Sequence, residues 1–318
     1  MKYFLLILIL FLPVSFTLAQ INSGQVNQNL SIELKSVDLN PFSEITAEVN
    51  DYANTASTQS INWLLDGKTL PEFNNKRTIN LKLKDLGQTT KLEVFIKTQE
   101  GMTISAEKTI TPVYLDVIIE PQTHVPYFYK GRALPSFDST MNFTALINGS
   151  IENSEKYIYN WNLSGVNIES GGAIGKYKTA AKMPLGQTSL LTLTVSRMNG
   201  ELVAKKTIDI IPAEIEMAFY EVNSLFGLSQ LNINNSLNLI GNSTVVRAEP
   251  YYLDIKTYNN PQHIEWKIDG NRNTGSINNP YEVTLAKQGG SGRVNVGFHV
   301  RNLETISQGV ESKFTVNY

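Results

Sequence analysis

Residues Ile61-Asn62-Trp63-Leu64-Leu65-Asp66-Gly67 return as Tyr159-Asn160-Trp161-Asn162-Leu163-Ser164-Gly165, and again as Ile264-Glu265-Trp266-Lys267-Ile268-Asp269-Gly270. These three copies hold every tryptophan in the 318-residue chain. In each, apolar residues stand two before and two after the Trp, and a glycine closes the stretch. Alternation with a period of two that ends on a turn residue predicts a half-buried strand running into a tight loop.

The self-similarity spreads outward from the Trp. Thr46-Ala47 and Thr144-Ala145 each place an alanine sixteen residues before it, and Arg247-Ala248 places one eighteen before. Each alanine lies in a short strand-like run. Downstream, Leu86-Gly87-Gln88-Thr89-Thr90 recurs as Leu185-Gly186-Gln187-Thr188-Ser189, with only Gln288-Gly289-Gly290-Ser291 at the third position. A strongly alternating strand follows at Leu92–Lys97, Leu191–Ser196 and Val294–Val300. Glu100-Gly101 and Asn199-Gly200 then predict hairpin turns, of type I′ in the Asn-Gly case. The third copy has Asn302-Leu303-Glu304 there and predicts a looser connection. A closing strand ends each copy.

A Trp on an early-middle strand that faces a strong late strand, in a unit of about 100 residues, resembles an immunoglobulin-like β-sandwich. The Trp-x-[Leu/Ile]-[Asp/Ser]-Gly form is similar to PKD-type and bacterial immunoglobulin-like modules of exported surface proteins. The resemblance implies an all-β chain of three tandem sandwiches. Modules of this kind serve as spacers, adhesion units and binding domains alike, so it implies no single function. With no cysteine in the chain, the disulfide-bridged antibody variant is excluded.

Lys2, the apolar run Tyr3–Leu12, Pro13 and the small residues before Gln20 predict a secretory signal peptide over 1–19. The alternative is an uncleaved membrane anchor, which would be the chain's only membrane contact. The polar stretch 20–29 predicts a disordered leader. Pro112 and Pro212 mark the expected junctions, giving modules at 30–112, 113–212 and 213–318. Linkers this short predict a stiff, extended rod, with no tail after Tyr318 to serve as a wall anchor.

Two segments set the modules apart. The second carries Glu120–Pro135, which includes Tyr127-Phe128-Tyr129-Lys130-Gly131-Arg132, and the third carries Phe219–Gly227. Both are rich in aromatics and follow a junction. On one reading they pack against the preceding module and fix its angle. On the other they form a ligand surface, because aromatics and Arg favour interface hot spots. On that second reading Tyr127, Phe128, Tyr129, Lys130 and Arg132 are the candidate binding residues, and Trp63, Trp161 and Trp266 are structural.

Little points to chemistry. Net charge is −2, and loss of Lys2 with the leader leaves 26 basic against 29 acidic side chains, net −3. No basic run offers a footprint for nucleic acid. His124, His263 and His299 show no second His or carboxylate at metal-ligand spacing, and alternation turns His299 away from the core toward solvent. No nucleophile elbow, phosphate loop or calcium loop is present; Glu120 or Glu221 would be the donors if calcium sat at a junction. The expectation is therefore no catalytic residue, no cofactor and no metal. The chain reads as an exported structural or adhesive protein that binds protein or glycan. The rivals are an accessory subunit of an envelope assembly, such as a pilus or secretion apparatus, and an enzyme with a shallow carboxylate site.

Overall fold

The structure, a computed structural model, describes residues 30–35, 39–51, 58–169, 172–287 and 289–318. The expected signal peptide and leader lie outside them. The described chain is all-β, with one short α-helix, Ile255–Asn259, and two single 3-10 turns. Its strands form six sheets that pair into three immunoglobulin-like sandwiches.

Each sandwich repeats one plan. In the first, Thr58–Leu65 lies between Lys68–Thr69 and Thr90–Thr98, with Thr103–Ile110 beyond; Leu30–Leu34, Glu44–Asp51 and Thr78–Lys82 make the facing sheet. In the second, Tyr157–Leu163 and Ser189–Arg197 form the sheet centre, and Lys178–Lys182, Thr140–Ile147 and Leu115–Pro121 face it. In the third, His263–Ile268 and Arg293–Arg301 take the central places, opposite a sheet ordered Gly227–Asn232, Glu216–Asn223, Ser243–Tyr251, Glu282–Ala286.

The repeated residues explain the plan. Trp63, Trp161 and Trp266 are at most 3% exposed, and the strand register sets them opposite Val94, Leu193 and Phe298. These partners sit midway along the late strands, whose alternate residues are buried apart from the half-buried Val294 and the exposed end residue Arg197. A buried indole N–H needs an acceptor. Nε1 donates to the carbonyls of Lys76, Lys176 and Pro280 at 2.9, 2.9 and 3.0 Å. Each acceptor lies on the segment leading into a strand of the opposite sheet, so every Trp both fills its core and ties the two sheets. Ala47, Ala145 and Ala248 are fully buried. Ala145 shares its core with Trp161, and Ala248 shares its core with Trp266.

The closing Asp/Ser-Gly is a two-residue hairpin with both residues at positive φ: Asp66 and Gly67, Ser164 and Gly165, Asp269 and Gly270. The Asn199-Gly200 hairpin differs from the expected type I′, and Glu100-Gly101 takes the same form as it. Only Gly101 and Gly200 take positive φ there. Thr98 N–H bonds Met102 O and Arg197 N–H bonds Glu201 O, which encloses three-residue loops. Such loops need glycine at their last position alone, so the preceding Glu100 is accommodated as readily as Asn199. The third copy is looser, as its sequence predicts: Asn302 N–H reaches as far as Gln308 O.

Phe219–Gly227 is not an insert loop. Glu216–Asn223 is a strand that buries Phe219 and turns back at Leu225-Phe226 into Gly227–Asn232. The chain then crosses to the other sheet, where Ser236–Asn238 pairs in parallel with Gly309–Asn317.

By compactness the chain divides in two. One unit is built mainly from Thr46–Leu81 and Thr89–Ile110, and the other takes in Thr111–Tyr318, so the second and third sandwiches belong together.

Candidate functional site

The insert between Leu115–Pro121 and Thr140–Ile147 was expected, on one reading, to pack against the preceding module. Among the described residues it bonds to the following one. Gln122–His124 runs antiparallel to Tyr252–Ile255: His124 N–H bonds Leu253 O at 2.7 Å, Tyr252 N–H bonds His124 O at 2.8 Å, and Ile255 N–H bonds Gln122 O at 2.9 Å. This short ladder satisfies backbone groups that a buried loop would otherwise leave unpaired.

Side chains extend it. Ser136 Oγ donates to Tyr252 O at 2.6 Å. Gln308, from the loose hairpin of the third sandwich, donates to Ser136 Oγ and Phe137 O while its Oε1 accepts from Asp254 N–H at 2.7 Å. Asp254 caps the short helix through Lys256 N–H and also accepts from Thr140 N–H. His124 Nε2 donates to the buried Glu249 at 2.7 Å, and its ring stacks on Tyr258 at 3.6 Å. Thr123, Ser136, Ser139, Glu249, Asp254, Thr257 and Gln308 account for seven of the ten buried polar residues described. Buried polar groups that satisfy one another fix a geometry.

The five candidate binding residues divide across this platform. Phe128 meets Tyr220 edge-on, with ring centroids 5.3 Å apart. Tyr129 meets Tyr251 in the same way and shares a 2.9 Å hydrogen bond with the hydroxyl of Tyr252. Both are half-buried. Tyr127 packs its edge on Phe128 but is 78% exposed, and Lys130 and Arg132 are exposed as well. Arg132 lines a cleft of about 600 Å³ with Ile119, Leu134, Ile208 and Pro212. Its walls include the edge strands Leu115–Pro121 and Leu202–Ile210. Among the described residues Asp209 is the one acid lining the cleft, whereas glycoside hydrolysis needs a pair.

Burial raises the Tyr252 phenol to about 12, helped by its bond to Tyr129. Burial likewise raises Tyr258 to about 12, with the Glu249 carboxylate adding to the effect. Both hydroxyls are therefore neutral at physiological pH.

Sequence reasoning missed the ring partners Tyr220, Tyr251, Tyr252 and Tyr258. A signal existed: the third copy spaces its alanine and Trp eighteen residues apart instead of sixteen. The segment between them carries Tyr251-Tyr252, the Asp254 cap and the helix. Sequence reasoning also separated the histidines from any carboxylate. The strand register corrects this by setting Glu265 opposite His299, with His263 two residues from Glu265 on the same face. His299 is only partly open to solvent, and its Nε2 is buried. Its pKa is lowered by burial first, then by Arg301 and His263. The proposed calcium donors Glu120 and Glu221 lie on separate strands, and Glu221 accepts a hydrogen bond from Thr244.

No family model and no curated protein matches the chain. Among solved structures it is similar to the fibronectin(III)-like modules of Clostridium thermocellum CbhA, at 12% identity over 57% of this chain and 93% of that one, with a TM-score of 0.26. It is similar to three N-terminal domains of the bacteriophage RB49 Highly Immunogenic Outer Capsid protein, at 13% identity over 91% and 98%, TM-score 0.26. Immunoglobulin domains 1–5 of Sidekick-1 match at 14% identity over 90% and 58%, TM-score 0.27. Likenesses this distant carry no functional argument, and the immunoglobulin-like assignment rests on strand order and on the three Trp-centred cores.

Proposed function

We propose that this is an exported, non-catalytic binding protein whose modules, 30–112, 113–212 and 213–318, present a surface for protein or glycan at the cell envelope. Export is read from the N-terminal segment. The observation that carries the binding reading is the apolar cleft beside the insert, with Arg132 in its lining and the exposed Tyr127 and Lys130 on the same insert. An exposed aromatic beside a cationic side chain, held by a rigid hydrogen-bonded base, is the composition of a recognition hot spot. It also suits a sugar ring, which stacks on an aromatic face while polar groups fix its hydroxyls.

The test is a glycan array and an envelope-protein capture run with the parent chain and with Tyr127→Ala/Arg132→Ala. Both residues are exposed, so the fold should survive. A ligand retained by the parent and lost by the variant supports the reading, and equal retention by both overturns it.

A second observation favours the accessory-subunit reading. The hairpin tip Leu225-Phe226 is 84–85% exposed and Leu231 on the adjoining edge strand is 82% exposed. A free strand edge with apolar side chains is suited to accept a partner's strand. Capture that depends on Phe226 and Leu231 but not on Tyr127 would select this reading.

A further inference from the structure

A second cluster lies on the third sandwich, away from the cleft. Alternation along His263–Ile268 sends Ile264, Trp266 and Ile268 to the core and leaves His263, Glu265 and Lys267 on the other face. On the adjacent strand, His299 lies opposite Glu265, and on the next strand Glu311 lies opposite His299. The rings of His263 and His299 meet edge-on with centroids 4.8 Å apart. His263 Nε2 is 3.8 Å from Glu265 Oε2. One ligand atom from each of the three residues lies within 4.8 Å of the other two. His299 Nε2 is shut off from solvent and has no hydrogen-bond partner. A buried ring nitrogen without a partner has lost water and gained nothing in return.

We propose that His263, Glu265 and His299 form a binding site for a divalent transition-metal ion of the zinc type, with solvent completing its coordination. Two imidazoles and one carboxylate suit such an ion, whereas calcium and magnesium require oxygen donors. Donors bound at about 2.0–2.2 Å around a tetrahedral ion stand roughly 3.4 Å apart. Small side-chain rotations bring the three atoms to that spacing. The ligands come from two hydrogen-bonded strands of one sheet, a rigid base for a metal site. A cleft of about 430 Å³ lined by His263, Glu265 and Arg272 opens beside two of the three ligands.

The Glu265 carboxylate is engaged by Lys267 Nζ at 3.1 Å and by the Arg272 guanidinium. These cations compete with a metal for the same oxygens. The site therefore favours an ion that draws on both imidazoles, and removing one of the cations strengthens binding.

The experiment titrates Co²⁺ and then Zn²⁺ into the full chain. The expected result is one Co²⁺ per chain, with visible absorption from a low-coordinate nitrogen–oxygen site that Zn²⁺ abolishes. Because the chain has three histidines, imidazole NMR signals distinguish His263 and His299, which should shift, from His124, which should not. His299→Ala and Glu265→Gln should each abolish the Co²⁺ absorption, and Lys267→Ala should lower the Kd. Glu265→Gln keeps the side chain's size, so its effect separates ligation from folding, and an unchanged circular dichroism spectrum checks each variant. Absence of saturable binding by the parent overturns the site. So does undiminished binding by the variants, or a shift confined to His124.

Discussion

At the residue scale, the three tryptophans carry the fold. Each fills a core and donates its indole N–H toward the opposite sheet, so a truncation removes both packing and a buried hydrogen bond. Trp161→Ala should cost about 3–5 kcal/mol. The measurement is urea unfolding of the full chain, and a midpoint for the Thr111–Tyr318 unit that stays in place would contradict the core role. Tyr258 gives a pH signature. It lies between His124 and Tyr281, with centroids 3.6 and 4.6 Å away, and its phenol is raised to about 12. A phenol in the unfolded chain ionises near pH 10. The folded state therefore favours the neutral form. This contribution is complete below about pH 10 and declines as pH rises toward 12. Tyr258→Phe removes the ionisable group, so the variant's urea midpoint should fall less over that interval than the parent's. Parallel curves would show that Tyr258 does not drive the alkaline loss.

At the element scale, what could be read from the sequence was what depends on local periodicity. The Trp strands, the late strands and the Asp-Gly turns each show themselves within seven residues, because alternation and positive φ are local demands. The type of the later hairpins was not readable in the same way. Asn199-Gly200 is compatible with a two-residue or a three-residue loop, and only strand pairing decides between them. The candidate site on the insert was half legible. Arg132 and Tyr127 stood out by composition, but the partners of Phe128 and Tyr129 lie some 90–125 residues further along the chain. The histidine cluster was hidden for the same reason: His299 faces Glu265 through register, and register is not a property of either strand alone.

At the scale of the whole molecule, the polar network makes the second and third sandwiches one compact unit. Gln308 sits at its centre, 2% exposed and bonded to Ser136, Phe137 and Asp254. Gln308→Ala takes away the partner of the Asp254 N–H and of the Phe137 carbonyl, while Ser136 Oγ keeps its bond to Tyr252 O, and should cost about 2–3 kcal/mol. In calorimetry of the full chain, the parent's Thr111–Tyr318 unit should melt in one transition, and the variant should show that transition broadened or split. A single transition as sharp as the parent's would mean that the two sandwiches are coupled by something else. The ladder joining Gln122–His124 to Tyr252–Ile255 also sets a timetable for biosynthesis. His124 and Glu249 are 125 residues apart, so at 5–20 residues per second the insert waits roughly 6–25 s for its partner to be made. Until Tyr220 and then Tyr251 are made, Phe128 and Tyr129 lack the rings of the third sandwich that they pack against, and the nascent chain presents a sticky aromatic segment that a holding chaperone would have to shield.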